Sequence, residues 1–303
     1  MIAPAGADSL QALEQKCCVV PAALLALTFL VFSPLIMGGQ FFWDDAELLT
    51  DNRWVHAAGG LWQIWFSRES PDYYPVMSST FWLEWRLWHL WAPGYHLTNV
   101  LLHWGSAVLL WRVLRQLAVP GALLAAAVFA VHPVTVESVA WIAERKNTLS
   151  LVFMLAAALM YLRADVERLD WRNYAAALVL FLLALLSKTA VVMLPVVLLI
   201  LAWYRHGRVR WRDVVRLLPF LALSAALGLV TIYFQYFRAI GGVPIRNDSF
   251  ASRLAGAGWA VWFYLGKALV PANLCFNYPR WNNILGIGAA AFLPLAVLAI
   301  LAA

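Results

Sequence analysis

The chain has 303 residues, 63% of them hydrophobic and 13% charged, with a formal net charge of +6. Soluble domains are nearer half apolar and a quarter charged, so the composition excludes a soluble globular protein and predicts an all-α polytopic membrane protein whose first partner is the lipid bilayer. The excess of Lys and Arg sits in short loops, with no basic stripe interleaved with aromatics, which excludes nucleic acid as a partner.

Residues 1–16 read as a short cytoplasmic tail and 17–303 as one multispanning membrane domain. Residues 17–37 form an apolar run long enough to span a bilayer. A cleaved signal peptide is the competing reading, but Met37-Gly38-Gly39 lacks the small-x-small pattern, and a retained helix is favoured. Residues 38–93 then form a long first outer loop. Within it, 61–66 and 74–91 have the spacing of short amphipathic helices. In the second, Phe81, Trp82, Trp85, Trp88 and Trp91 recur at helical intervals. Such segments lie in the headgroup plane or pack on the rest of the protein.

Further spans are expected at 95–117, 120–132, 148–163, 173–187, 189–204 and 217–236. The apolar stretch 257–271 is short enough to be re-entrant or surface-lying, and a last apolar run extends from Ile287 to Ala303. That makes about eight or nine hydrophobic segments. The chain stops inside the last run, which reads as a truncated C-terminus. Seventeen Trp residues crowd the ends of the apolar segments and the first loop, as interfacial anchors do. The three cysteines, Cys17, Cys18 and Cys275, contain no C-x-x-C pair and support neither a disulfide framework nor a zinc site.

Orientation follows from the basic loops. Arg112 and Arg115, then Arg163, Arg168 and Arg172, then Arg205, Arg208, Arg210, Arg212 and Arg216 fall on one side, which is expected to be cytoplasmic. Residues 38–93, 132–147 and 237–256 then face outward, toward the periplasm of a bacterial inner membrane or the lumen of a eukaryotic ER.

The outer side collects the polar groups. Trp43-Asp44-Asp45 follows the first span, with Glu47 just beyond. Carboxylates at a low-dielectric boundary are candidates for chemistry, although such acids are often only solvated. After His132-Pro133, residues 134–147 are expected to form a short helix carrying Glu137, Trp141 and Glu144 on one face, with Arg145 at its edge. His96, Asn99, His103 and Ser106 make a polar stripe on one face of the second span. Interhelical hydrogen bonding is the commoner use of such a stripe, metal ligation the rarer. Lys188 closes the junction of two spans and either snorkels or serves a site.

These residues fall into five motifs: Phe42-Trp43-Asp44-Asp45, Tyr74-Pro75-Val76, the run from Gly94-Tyr95-His96 to His103, the run from His132-Pro133 through Glu137 and Trp141 to Glu144-Arg145-Lys146, and Leu186-Ser187-Lys188. In this order they resemble the membrane half of the transmembrane, tetratricopeptide-repeat O-mannosyltransferase family and its bacterial relatives, over roughly residues 25–280. The resemblance implies a GT-C-like fold and a glycosyltransferase of protein O-glycosylation. Such an enzyme moves a sugar from a polyprenyl-phosphate donor to a hydroxyl of a protein or glycan acceptor at the outer membrane face. A carboxylate of the first outer loop then serves as base, which maps onto Asp44 or Asp45. Tyr74, Asn147 and Thr189 depart from the pattern, where Arg, Asp and Glu are common in relatives.

The residues suit that chemistry. A base must accept the hydroxyl proton, so Asp44 and Asp45 are the catalytic candidates. The departing phosphate gains charge, for which Arg145, Lys146 and Lys188 are the candidate ligands. Trp43, Glu137, His96, His103 and His132 are expected to line the site. No cofactor is required; a divalent cation on the second acid is the alternative, disfavoured because a hard cation wants more oxygen ligands. A transporter or flippase of lipid-linked sugar would also carry intramembrane polar residues, but no inverted repeat is visible. A non-catalytic scaffold of the same fold is the third reading.

Overall fold

The computed structural model describes residues 18–70, 72–164, 169–239, 249–278 and 284–302, which form two compact units, one within residues 1–241 and one within 242–303. The tail of residues 1–16, Cys17, Arg168 and much of the outer segment 237–256 lie outside the described residues. No strand occurs among those described, and the chain is an all-α polytopic membrane protein.

The first unit begins with α1 (Val19–Gly38). Its outer segment carries a π-helical turn (Ala46–Thr50), α2 (Arg53–His56), α3 (Gly60–Phe66) and α4 (Pro75–Trp88). Then follow α5 (Ala92–Gln116), α6 (Ala122–Val131), α7 (Val136–Ala140), α8 (Arg145–Ala164), α9 (Trp171–Ser187), α10 (Leu194–His206) and α11 (Trp211–Phe234). Five helical segments are long and apolar enough to cross a bilayer: Val19–Gly38, Ala92–Gln116, Ile142–Ala164, Thr189–His206 and Trp211–Ala239. The pair Ala122–Val131 and Pro133–Ala140, bent by 52°, makes a sixth if it is one broken span, and Trp171–Ser187 is apolar but shorter.

Lipid tails are as apolar as leucine, so membrane helices associate by close packing of small residues rather than by escaping water. The sequence supplies them. Ala157, Ala158 and Ala164 of α8 meet Ala177 of α9, and the aromatics Tyr161, Tyr174, Phe181 and Phe220 interlock around this seam. Ala107 of α5 faces Ala122, Ala126 and Ala130 of α6 in the same way.

The arginine-rich ends share one end of this unit. Arg205 donates to the carbonyl of Leu162 at 3.2 Å, and the Tyr174 hydroxyl donates to that of Arg216 at 2.6 Å. The opposite end collects the outer segments, where Thr231 of α11 donates to the Thr189 hydroxyl at 2.8 Å. There α4 packs on the rest of the protein, one of its two expected placements. Met77, Phe81 and Glu84 are buried against the bundle, while Leu83 and Leu87 are exposed on the other face.

One local expectation needs correction. Residues 134–147 are not one helix. A short 3-10 turn (Pro133–Thr135) and α7 end at Trp141, which is extended, and a second 3-10 turn (Ile142–Glu144) leads into α8. Glu137 is exposed and Glu144 buried, so they do not share a face. A carboxylate from the first outer segment stops the helix here, as described below.

In the second unit, α12 (Phe250–Leu269) is capped by Ser249, whose hydroxyl accepts from the Ser252 amide. It is 20 residues long and includes most of the 257–271 stretch. The apolar C-terminal run is kinked at Gly288 and continues as α13 (Leu293–Ala302). A side chain at Gly258 would come within 2.9 Å of Leu295, so this helix contact requires glycine.

Candidate functional site

The approach to the acids is fixed by close packing. A Cβ at Gly39 would sit 2.3 Å from Nε2 of His96, so only glycine lets the chain leave α1 across that ring. His96 is buried, and among the described residues neither ring nitrogen has a well-formed hydrogen bond. Trp43 then takes φ of +47°, a left-handed conformation strained for a bulky residue, which turns the chain sharply ahead of the two acids.

The acids that follow are not equivalent. Asp45 is 1% exposed. Its Oδ2 accepts the Phe42 amide at 2.8 Å and its Oδ1 the Ala143 amide at 2.6 Å. The second contact spans 98 residues and places a carboxylate at the N-terminal end of the Ile142–Ala164 helix, where unpaired amides and the helix dipole favour negative charge. Burial pushes the Asp45 carboxyl up to about 6; the two amides and Arg145 pull it down, and Asp44 pushes it up. Asp44 is half-buried, and among the described residues its carboxylate has no hydrogen-bond or ion-pair partner.

Aromatics frame this turn. Trp43 and Trp141 stack with centroids 6.0 Å apart and planes 24° apart, and the Trp141 indole donates to the Phe42 carbonyl at 3.1 Å. Lys146 Nζ lies 5.8 Å from the Trp141 ring and 6.0 Å from that of Tyr74.

The two lysines converge on one carboxylate. Glu144 Oε1 is 2.8 Å from Lys146 Nζ, and Oε2 is 3.5 Å from Lys188 Nζ. Asn147 donates to Glu144 and to Ser138, and accepts from Lys188. Burial lowers the Lys188 ammonium, Glu144 supports it, and Lys146 lowers it further.

Sequence reasoning missed Asp72. Half-buried in the first outer segment, it accepts from the Gln235 amide at the end of α11, while Tyr73 beside it stacks on Phe234 at 5.2 Å. Burial raises its carboxyl; Lys146 and Lys188 lower it, and Asp44 raises it. Asp72 is thus the common electrostatic neighbour of the free acid and both lysines. Its only sequence signal was an acid just before the Tyr-Tyr-Pro turn.

Arg145 takes a different place from the expected one. None of its side chain is exposed. Nε donates to Asn99 at 2.8 Å, Nη1 to Thr80 at 3.2 Å and to Glu84, and Nη2 to the Tyr95 carbonyl at 3.0 Å. The Phe81 ring lies 4.6 Å from the guanidinium carbon. Glu84 also accepts from Thr98, and Asn99 donates to the carbonyls of Val139 and Trp141. This network ties α4, α5 and α8 together beneath the site and keeps the Arg145 side chain fully buried.

The histidines do not converge either. His103 pairs with the Ala130 carbonyl at 3.1 Å, between the rings of Phe32 and Phe129. His132 accepts the Val134 amide at 3.3 Å and caps the turn after α6. Both are helix ties. Glu137 is exposed, with Glu144 and Lys188 as its charged neighbours. Among the described residues no group of three His, Cys, Asp or Glu is placed to hold a metal ion.

No family model and no solved structure matches the chain. Curated relatives do. It is 29% identical over 279 residues to the Caenorhabditis elegans protein O-mannosyl-transferase F38B6.6, covering 84% of this chain and 39% of that protein. It is 34% identical over 155 residues to human protein O-mannosyl-transferase TMTC4, covering 43% and 21%. The match to Drosophila melanogaster protein O-mannosyl-transferase Tmtc1 is 32% over 179 residues, 55% of this chain and 21% of the relative. The chain therefore spans well under half the length of these relatives. The chain is similar in sequence to several protein O-mannosyl-transferases, over a part of their length.

Proposed function

We propose that this chain is a membrane glycosyltransferase of GT-C type that moves a sugar from a polyprenyl-phosphate donor to a hydroxyl of a protein acceptor. The observation that carries the reading is that a half-buried Asp44, whose carboxylate has no partner among the described residues, and the Lys146–Lys188 pair both act electrostatically on Asp72. Asp44 is the base. It accepts the acceptor hydroxyl proton as that oxygen bonds to the sugar's anomeric carbon. The bond from that carbon to the phosphate oxygen breaks, its electron pair stays with the phosphate, and Lys146 and Lys188 hold the growing charge. Asp45 acts through structure: its two amide bonds fix the turn that presents Asp44. Arg145 supports the scaffold beneath. The opposite placement of the arginine-rich ends fits a site on the outer face, periplasmic in a bacterial inner membrane.

The names of the relatives make mannose the first sugar to test. Membranes containing the chain, given a radiolabelled polyprenyl-phosphate mannose and acceptor peptides, should transfer label. Asp44→Asn should lower the rate roughly 10²–10⁴-fold, the size of a general-base contribution, with donor binding retained. Unchanged transfer by that variant would remove Asp44 from the mechanism.

A further inference from the structure

The transfer chemistry leaves Glu144 unused. This carboxylate is 8% exposed and touches both lysines, one through each oxygen. Asn147 brackets it by donating to one oxygen and to Ser138, which at 3.0 Å anchors the bracket to α7. Buried carboxylates are costly and persist where they are paired. Here one acid is shared by two ammoniums, which leaves the group with one net positive charge. Asp72 acts on the same lysines from farther off, in the same sense.

The reaction changes the charge that this group must hold. The donor's phosphate is a diester with a single negative charge. Once the sugar leaves, the phosphate keeps the electron pair and becomes a monoester bearing roughly −1.5 to −2 at neutral pH. A bare pair of lysines would hold the product more tightly than the donor and slow its release.

We propose that Glu144 is a specificity-determining residue for phosphate charge. As a resident counter-anion, it matches the lysine pair to the singly charged lipid phosphodiester and disfavours retention of the doubly charged phosphomonoester. This rests on the Lys146–Lys188 phosphate site proposed above.

The test uses the purified full chain in detergent and two short-chain probes, citronellyl phosphate and its methyl diester, with affinities measured by calorimetry. Glu144→Gln keeps shape and removes the charge. It should tighten citronellyl phosphate about tenfold and the methyl diester no more than about threefold, since removing a near charge acts in proportion to the charge it faces. Equal changes for the two probes, or weaker binding of both, would overturn the proposal and leave Glu144 as a holder of lysines. Lys146→Gln shifts the balance the other way and covers the case in which Glu144→Gln does not fold. It should weaken the monoester about tenfold more than the diester, and equal losses would again overturn the idea. If Lys146→Gln and Lys188→Gln leave both affinities unchanged, the phosphate site itself is wrong, an outcome distinct from failure of the charge match alone.

Discussion

Replacing Glu84 by Gln removes one charge from the interior and little else. Arg145 is fully buried against it and also donates to Asn99, Thr80 and the Tyr95 carbonyl. The amide oxygen of Gln still accepts from Arg145, and the Thr98 hydroxyl can turn to accept from its NH₂, so the loss is mainly electrostatic. Breaking a buried pair while leaving one charge costs about 3–5 kcal/mol. The two partners should differ. A buried carboxylate left alone escapes by taking up a proton, which for an ordinary glutamate caps the penalty at roughly 4 kcal/mol at pH 7.5. A guanidinium has no such escape. Glu84→Gln should therefore destabilise at least as much as Arg145→Met, and the double variant should be more stable than the sum of the singles by about 2 kcal/mol or more. Equilibrium unfolding in mixed micelles titrated with SDS, followed by tryptophan emission, measures all three. If both single variants stay within about 1 kcal/mol of the parent while Arg145→Met loses donor binding, Arg145 is a phosphate ligand and the scaffold reading fails.

Asp45 sets a pH dependence whose sign follows from its raised carboxyl. The folded state binds the proton more tightly than the unfolded state, so the group's stabilising contribution is fully present below about pH 4 and is lost as pH rises through about 6. Between pH 5 and pH 7.5 the parent should lose about 1 kcal/mol that Asp45→Asn does not lose; the same unfolding titration at the two pH values checks it, and a parallel slope would contradict the burial argument. Gly39→Ala puts a methyl group 2.3 Å from His96 Nε2 and should cost about 1–3 kcal/mol of stability, partly recovered by His96→Ala. Orientation is tested with single cysteines in a background lacking Cys17, Cys18 and Cys275. A membrane-impermeant maleimide applied from outside should label Gly59→Cys, where a side chain meets nothing within 4 Å, and should miss Arg208→Cys; the reverse pattern would move the proposed site to the cytoplasmic face.

The long apolar elements were legible because hydrophobic length and arginine bias are local signals. The Asp44-Asp45 pair stood out from its place at the end of the first span, but not the difference in burial between the two acids. What could not be read were partnerships between distant segments. Arg145 looked like a cation on the edge of a short outer helix, and nothing within reach of Glu84 in sequence marks it as the partner 61 residues away. The break at Trp141 was hidden for the same reason. Helical spacing joins Glu137 to Glu144 on one face, yet the Ala143 amide is taken by Asp45, and the backbone turns to meet it. That one contact also separates the roles of the two acids. A carboxylate whose two oxygens each hold a backbone amide is committed to fixing the turn, even though burial makes it easier to protonate than an exposed aspartate. Its neighbour, one residue back on a strained turn, has no such engagement among the described residues. The same step along the chain that buries Asp45 leaves the Asp44 carboxylate without a partner among the described residues, as the proposed base requires, and the positive φ of Trp43 sets the turn that carries both.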